Sequence, residues 1–162
     1  MEDSKDQLIN AARNGDISLL QLLIDQGVDV NTKDARGYTP LIIASYNNQI
    51  KAVKILLAAN ADVNLQDLGG NTALMGVCFK GYPEIAELLI ANGADLNSQH
   101  SNGGTALMFS VLFGRNELVD IVLKNGADTS IKDVRGLTAI DLAIQQGNVK
   151  AIELMETYVK SP

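Results

Sequence analysis

Apolar residues recur along the chain in short segments whose spacing is typical of helices. In residues 50–57, Leu56 and Leu57 follow Val53 by three and four positions, while the charged Lys54 falls between them. Residues three and four positions apart lie on the same side of a helix, so this segment has one apolar and one polar side. The pattern predicts short amphipathic helices, each of which needs a neighbour to cover its apolar side.

The predicted helices belong to a unit that repeats every 33 residues. Each unit contains a glycine and, two positions later, a threonine, as Gly37 and Thr39, Gly70 and Thr72, Gly103 and Thr105, and Gly136 and Thr138. The threonine opens a first apolar segment, and about ten residues later a glycine or an asparagine separates it from a second one. We therefore predict two short helices in each unit.

The residues at the ends of these segments support the helical prediction. Threonine offers a side-chain oxygen to the free amides of a first helical turn, and that turn also tolerates proline, here Pro40 and Pro83. Glycine closes the second segment in most units, and Asn60 closes it in one. Both residue types adopt the left-handed conformation that ends many helices, so Asn60 fits the rule.

Turn-rich connectors join each predicted helix pair to the next. They run from Val28 to Asn31, Ala61 to Asn64, Ala94 to Asn97 and Ala127 to Ser130. With the Gly-x-Thr-x-Leu or Ile segments, they resemble the ankyrin repeat family, in which Asp-x-x-Gly-x-Thr-Pro-Leu-His precedes two helices and Gly-Ala-Asp-Val-Asn follows them. The resemblance covers about residues 5–158. It implies an all-α ankyrin repeat solenoid of five stacked helix-turn-helix units, connected by β-turn or hairpin loops.

Subtracting one period from the second unit places a first helix pair at residues 8–27. The resemblance then implies one domain over 1–162, with an N-terminal cap at about 5–34, repeats at about 35–67, 68–100 and 101–133, and a C-terminal cap at about 134–158. One position departs from the family pattern, because the His after Thr-Pro-Leu is replaced by Ile42, Met75, Met108 and Asp141. We expect apolar packing to substitute for it at the first three.

Composition and charge narrow the classes of partner. The 162 residues are 46% hydrophobic and carry a net charge of −6. Nucleic-acid-binding proteins usually present a clustered basic surface, so nucleic acid and anionic membranes are poor candidates. The sequence shows no signal peptide or apolar run of about 20 residues, and its single cysteine cannot form an internal disulfide. We expect a cytoplasmic monomer with a protein partner and with neither metal nor cofactor.

The residues that could carry catalysis have simpler explanations. His100 stands alone in a connector, where the other repeats have Asp, and is interpreted as an exposed turn residue. Cys78 lies at a small-residue position of a first helix and is interpreted as a buried structural thiol. The paired glycines lack the Gly-Lys-Ser/Thr of a phosphate loop, and the recurring connector aspartates lack calcium-loop spacing. We expect no enzymatic activity unless His100 lies beside a carboxylate in a closed pocket.

The resemblance also implies a binding surface, made by the connector tips and the exposed side of each first helix. Carried over position by position, this surface comprises Arg36, Tyr38, Tyr46, Leu68, Asn71, Phe79, Lys80, Leu112, Phe113, Arg135 and Gln145. Within it, the predicted apolar ridge consists of Tyr46, Phe79, Leu112 and Phe113. The basic residues beside the ridge favour a partner with an acidic or mixed-charge contact surface. The alternative is that the ridge residues fold onto the next repeat and only fill space.

The leading functional hypothesis is a non-catalytic module that binds a protein partner as an adaptor, inhibitor or accessory subunit. A second hypothesis rests on the similarity to small free-standing bacterial ankyrin proteins, some of which support a stress-defence enzyme such as a catalase. A third is that the protein is the substrate of an asparaginyl hydroxylase, because Asn31, Asn64 and Asn97 occupy the position that such enzymes modify in animal ankyrin repeats.

Overall fold

The computed structural model describes residues 2–160, which form ten α-helices in five pairs. The first helices of the pairs are α1 (Ser4–Asn14), α3 (Pro40–Tyr46), α5 (Ala73–Lys80), α7 (Ala106–Leu112) and α9 (Ala139–Gln146). The second helices are α2 (Ile17–Asp25), α4 (Ile50–Ala58), α6 (Pro83–Ala91), α8 (Asn116–Lys124) and α10 (Val149–Lys160). No strand occurs within residues 2–160. The predicted all-α fold of five helix pairs is confirmed.

Helices of the same kind stack on one another along the chain. The first helices form one layer and the second helices form another, with each helix also packed against the other member of its pair. In α4, Val53 and Leu56 are fully buried and Leu57 is half-buried, whereas Lys54 is exposed, as the apolar pattern predicts. Every pair therefore shares its core with its neighbours, which explains why a single unit of this kind would not be stable alone.

The first helices begin at the predicted threonine caps. The Thr39 Oγ1 accepts a hydrogen bond from the Ile42 N–H at 3.1 Å, and Thr72, Thr105 and Thr138 cap their helices in the same way. Pro40 and Pro83 occupy the first turns of α3 and α6, as expected. These local contacts fix where each helix starts, and so which side chains follow on its exposed side.

Three of the replacements for the family histidine are buried and apolar, which confirms that expectation. Ile42, Met75 and Met108 are each less than 10% exposed. The Met75 sulfur also accepts the Thr72 N–H at 3.4 Å. In the last repeat, the Asp141 carboxylate takes both the N–H and the hydroxyl of Thr138. The backbone N–H of the capping threonine therefore has a hydrogen-bond acceptor at the starts of α5 and α9 without a histidine.

The connectors are joined to one another by polar contacts. The side-chain oxygen of Asn31 accepts the N–H of Asp62 at 2.8 Å, and the same bond recurs one and two repeats later, from Asp95 to Asn64 and from Asp128 to Asn97. At the connector tips, the Leu68 N–H donates to the Arg36 carbonyl at 3.1 Å. Neighbouring tips therefore lie in direct backbone contact, which holds them in one continuous row.

Candidate protein-binding surface

A groove of about 580 Å³ runs between the connector tips and the exposed side of the first helices. We refer to it as the groove. It is lined by Arg13, Arg36, Tyr38, Ile42, Ile43, Tyr46, Asn47, Asp67, Asn71, Thr72, Met75, Gly76, Phe79 and Phe109. These residues come from α1, α3, α5 and α7, from the connectors that precede α3 and α5, and from Asn47 directly after α3. The groove thus lies on the side of the stack where the family resemblance predicts a binding surface.

Three aromatic side chains form a row beside the groove, which we call the aromatic row. The rings of Tyr46 and Phe79 are stacked, with centroids 6.2 Å apart, and the ring of Phe113 meets Phe79 edge-on at 4.5 Å. Tyr46 is 43% exposed and Phe113 is 47% exposed, while Phe79 between them is half-buried. Ring pairs at these separations attract each other, so the row is ordered before any partner arrives.

Leu112 is not an exposed member of this row. The sequence grouped it with the three rings, but its side chain is half-buried and packs against the hydrophobic core. Tyr38 packs against the core in the same way, although it also lines the groove. None of the three rings of the aromatic row belongs to the set of residues packed against the core. The row is therefore a surface feature, whereas Leu112 is part of the scaffold.

The charged residues predicted to flank the ridge lie in different environments. The Lys80 ammonium is 5.0 Å from the centroid of the Tyr46 ring, a cation–π distance. Arg135 is bound to Asp133, with 2.9 Å between its Nη2 and the carboxylate. Burial alone would raise the pKa of Asp133, but hydrogen bonds from Arg135 and Leu137 outweigh it and hold the pKa below its ordinary value. Arg36 is exposed and lines the groove.

The remaining predicted site residues lie at the tips or at the far end of the stack. Leu68 is 81% exposed at a connector tip. Asn71 is half-buried in the groove wall, where its N–H and side-chain amide both contact the Asp67 carboxylate. Gln145 is exposed near the end of α9. The groove and the aromatic row bring together residues of the first four helix pairs, while Arg135 and Gln145 belong to the fifth.

Cys78 and His100, the two candidate catalytic residues, both have structural roles. Cys78 is fully buried, and burial raises the pKa of its thiol to about 12 against a smaller lowering by a hydrogen bond with Ser110. His100 is half-buried and its Nδ1 accepts the N–H of Asn102 at 2.8 Å, so it acts as a turn cap and is less exposed than expected. It is not among the residues that line the groove.

Two further features bear on chemistry. Within the described residues, no group of three or more His, Cys, Asp or Glu side chains is arranged to hold a metal ion. No helix in that part of the chain is long and apolar enough to cross a membrane. The connector aspartates instead accept backbone amides two residues later, as Asp29 does from Asn31 at 2.9 Å.

Several residues that line the groove were absent from the surface predicted from the sequence, and Gly76 and Phe109 are the two that most affect its shape. Both occupy the same position of the repeat, which Ile43 holds one unit earlier. A comparison of aligned repeats would have shown that this position is bulky in two units and empty in the unit between them. The signal was present in the sequence, but its meaning depended on knowing that the position faces the groove.

A family model described as Ankyrin repeats (3 copies) matches the chain over residues 8–100 and again over residues 74–159. No curated protein matches the chain.

Proposed function

Because the chain belongs to the ankyrin repeat family, whose members are generally protein–protein interaction modules, we propose that it holds a partner protein against the groove and the aromatic row. In this proposal the protein is a non-catalytic adaptor, inhibitor or accessory subunit. Its partner is a protein and not a nucleic acid, because the net charge of −6 disfavours a polyanion. A reducing compartment such as the cytoplasm suits a chain with one buried thiol and no possible internal disulfide.

The observation that carries this proposal is the exposure of the aromatic row. Tyr46 and Phe113 leave nearly half of their surface in solvent, although the chain has only seven Phe and Tyr residues in total. Exposed aromatic side chains beside a groove are typical of binding hot spots, which are rich in Tyr, Trp and Arg. The row also costs little to order on binding, because its rings already contact one another.

The other two hypotheses receive less support. The side-chain oxygens of Asn31, Asn64 and Asn97 are all used in bonds between connectors, so these asparagines have a structural role that requires no modification. Intact mass of the protein from its native host tests the hydroxylation hypothesis, which requires a gain of one oxygen. No observation favours a stress-defence enzyme such as a catalase over other protein partners, so we propose the general function.

The proposal is tested by removing two rings of the aromatic row. In a Phe79→Ala/Phe113→Ala variant we expect the loss of partner capture from a lysate of the source cell, with the melting temperature lowered by only a few degrees. Capture is followed by mass spectrometry of the proteins that bind the immobilised wild type. Val149→Ala removes an exposed apolar side chain from α10, away from the groove, and should leave capture unchanged.

Phe109→Ala provides the matched control for stability. It removes the remaining phenylalanine of the chain, whose ring packs against the core, and should lower the melting temperature clearly. If the double variant loses as much stability as Phe109→Ala, the aromatic row packs as part of the scaffold. If the double variant stays folded and still captures the same proteins, the proposed binding surface is wrong.

A further inference from the structure

One side chain is missing from an otherwise continuous floor of the groove. Ile43, Gly76 and Phe109 are spaced by 33 residues and occupy the same position of successive first helices. All three line the groove. Ile43 is almost fully buried there and Phe109 fills its place with a ring, but Gly76 between them has no side chain. The floor therefore has a gap about one side chain wide, which we call the Gly76 gap.

The Gly76 gap is open space and not a tight backbone contact. We consider a Cβ placed on Gly76 and leave aside its two chain neighbours and the nearby backbone of its own helix. Among the described residues, this Cβ would then have one atom within 4 Å, the Tyr46 Cδ2 at 3.5 Å. That distance is an ordinary van der Waals contact. Gly76 also has no positive φ, unlike the turn glycines. Neither the backbone conformation nor the packing requires a glycine here, although a glycine in a helix interior is destabilising relative to alanine.

The walls of the Gly76 gap are apolar. Met75 precedes Gly76 in α5, Tyr46 lies against it from α3, and Phe79 follows one turn later with its ring stacked on Tyr46. All three line the same groove. The two aromatic rings beside the gap favour an aromatic or large aliphatic side chain there, because such contacts remove apolar surface from water on both sides.

The charges along the groove are mostly positive, although the chain as a whole is acidic. Arg13 and Arg36 both line the groove. Within the described residues, no salt bridge engages either guanidinium, and the hydrogen bond of Arg13 goes to the neutral Asn10. Asp67 is the single carboxylate among the described lining residues, and its Oδ1 already accepts the N–H groups of Gly69 and Asn71. The groove therefore offers a partner two arginines that no described salt bridge pairs with a carboxylate.

We propose that the Gly76 gap receives one aromatic or large aliphatic side chain from an acidic segment of the partner, whose carboxylates pair with Arg13 and Arg36. The inference rests on the proposed function and adds to it the chemistry of the segment that binds. The apolar anchor supplies contact area in the gap, and the flanking carboxylates match the planar, bidentate geometry of arginine. Binding of this kind weakens with salt, because the arginines are exposed.

The experiment uses a phage-displayed library of random 12-residue peptides, panned on the full chain. We expect the enriched peptides to share one Phe, Tyr, Trp, Leu or Met flanked by Asp and Glu. Their affinity, measured by biolayer interferometry, should fall about tenfold or more in Gly76→Leu, which fills the gap. It should fall severalfold in Arg36→Gln, together with a weaker dependence on salt. Ala91→Leu adds the same side chain at an exposed position of α6 and should leave the affinity unchanged.

A second arm does not depend on how the Gly76→Leu variant folds. Replacing the shared apolar residue of an enriched peptide by alanine should remove its binding to the wild-type chain. Circular dichroism of Gly76→Leu shows separately whether that variant keeps its helices.

The inference is overturned if no peptides are enriched, if the enriched peptides are basic, or if Gly76→Leu binds them as wild type does. Peptides that lose binding in Phe79→Ala/Phe113→Ala but not in Gly76→Leu would preserve the proposed function and refute the Gly76 gap. Peptides that lose binding in neither variant would count against both.

Discussion

The imidazole of His100 occupies the space that a side chain at Gly104 would need. A Cβ on Gly104 would lie 2.8 Å from the His100 Nε2. The equivalent pairs in the other repeats are Asp34 with Tyr38, Asp67 with Asn71, and Asp133 with Leu137. In those repeats the first residue is a small carboxylate and the second has a full side chain. In the connector before α7 both members of the pair are replaced together: the first is a larger imidazole ring and the second is a glycine.

This exchange gives the connector before α7 a titratable imidazole, which the other connectors lack. The His100 Nδ1 accepts the Asn102 N–H at 2.8 Å and its ring lies 4.9 Å from the ring of Phe109. Burial lowers the pKa of His100 below its ordinary value of 6.5, although the charge of Asp67 acts in the opposite direction. Because the folded-state pKa is lower than the unfolded one, the stabilisation is present above pH 6.5 and is lost as the pH falls through the folded-state pKa.

We therefore predict that the free energy of unfolding decreases between pH 7.5 and pH 5 partly through His100. His100→Asn keeps a side-chain acceptor for the Asn102 N–H but does not titrate. The wild type should lose more stability than this variant over that range, as measured by urea unfolding at several pH values. Parallel curves for the two proteins would show that the imidazole does not contribute.

Cys78 leads to a second prediction, on thiol reactivity. Its pKa of about 12 leaves about one thiolate in 10⁴ molecules at pH 8, and the side chain is fully buried. Iodoacetamide should therefore leave the folded protein unlabelled at pH 8 and label it once in guanidinium chloride, as measured by intact mass. Lys54→Cys in a Cys78→Ala background carries an exposed thiol instead and should react without denaturant. Rapid labelling of native Cys78 would contradict its interpretation as a structural thiol.

Substituting two turn glycines distinguishes two contributions to the free energy of unfolding, the strain of a left-handed backbone and the effect of a close contact. Gly37 and Gly136 both have φ of 78°. A Cβ on Gly37 would lie 2.9 Å from the Leu68 backbone nitrogen, whereas a Cβ on Gly136 would meet nothing within 4 Å. Gly136→Ala should cost about 1–2 kcal/mol, which is the left-handed strain alone. Gly37→Ala should cost clearly more in urea unfolding, and equal losses would show that neighbouring tips separate freely.

The helices could be predicted from the sequence because their signals are local and recur at each repeat. Thr39 and Asn60 act through bonds and dihedral angles within a few residues, so their roles follow from residue type and position. The side-chain directions on the groove side could not be predicted as well. Leu112 occupies the repeat position of Tyr46 and Phe79, yet its side chain is half-buried and packs against the core, and this direction depends on how α7 packs against its neighbours. The role of Gly76 could not be inferred from the sequence, because it depends on the structure showing that Ile43 and Phe109 line the groove.

Gly76→Ala tests whether the glycine that leaves the groove open destabilises α5 relative to alanine. Alanine fits without a close contact, since the nearest atom is the Tyr46 Cδ2 at 3.5 Å. The substitution should raise the free energy of unfolding by about 0.5–1 kcal/mol, because glycine in a helix interior loses more conformational freedom on folding. In a domain of this size, that corresponds to an increase of about 1–4 °C in melting temperature.

Gly27→Ala is the control for the same change at a glycine that its backbone does require. Gly27 has φ of 85°, and a Cβ added there would meet nothing within 4 Å, so alanine should lower the melting temperature through strain alone. Opposite signs for the two variants would show that the glycine in α5 is unfavourable for the fold and serves the groove. A loss of stability in Gly76→Ala would instead mean that α5 requires the glycine, and the gap would then be a consequence of packing.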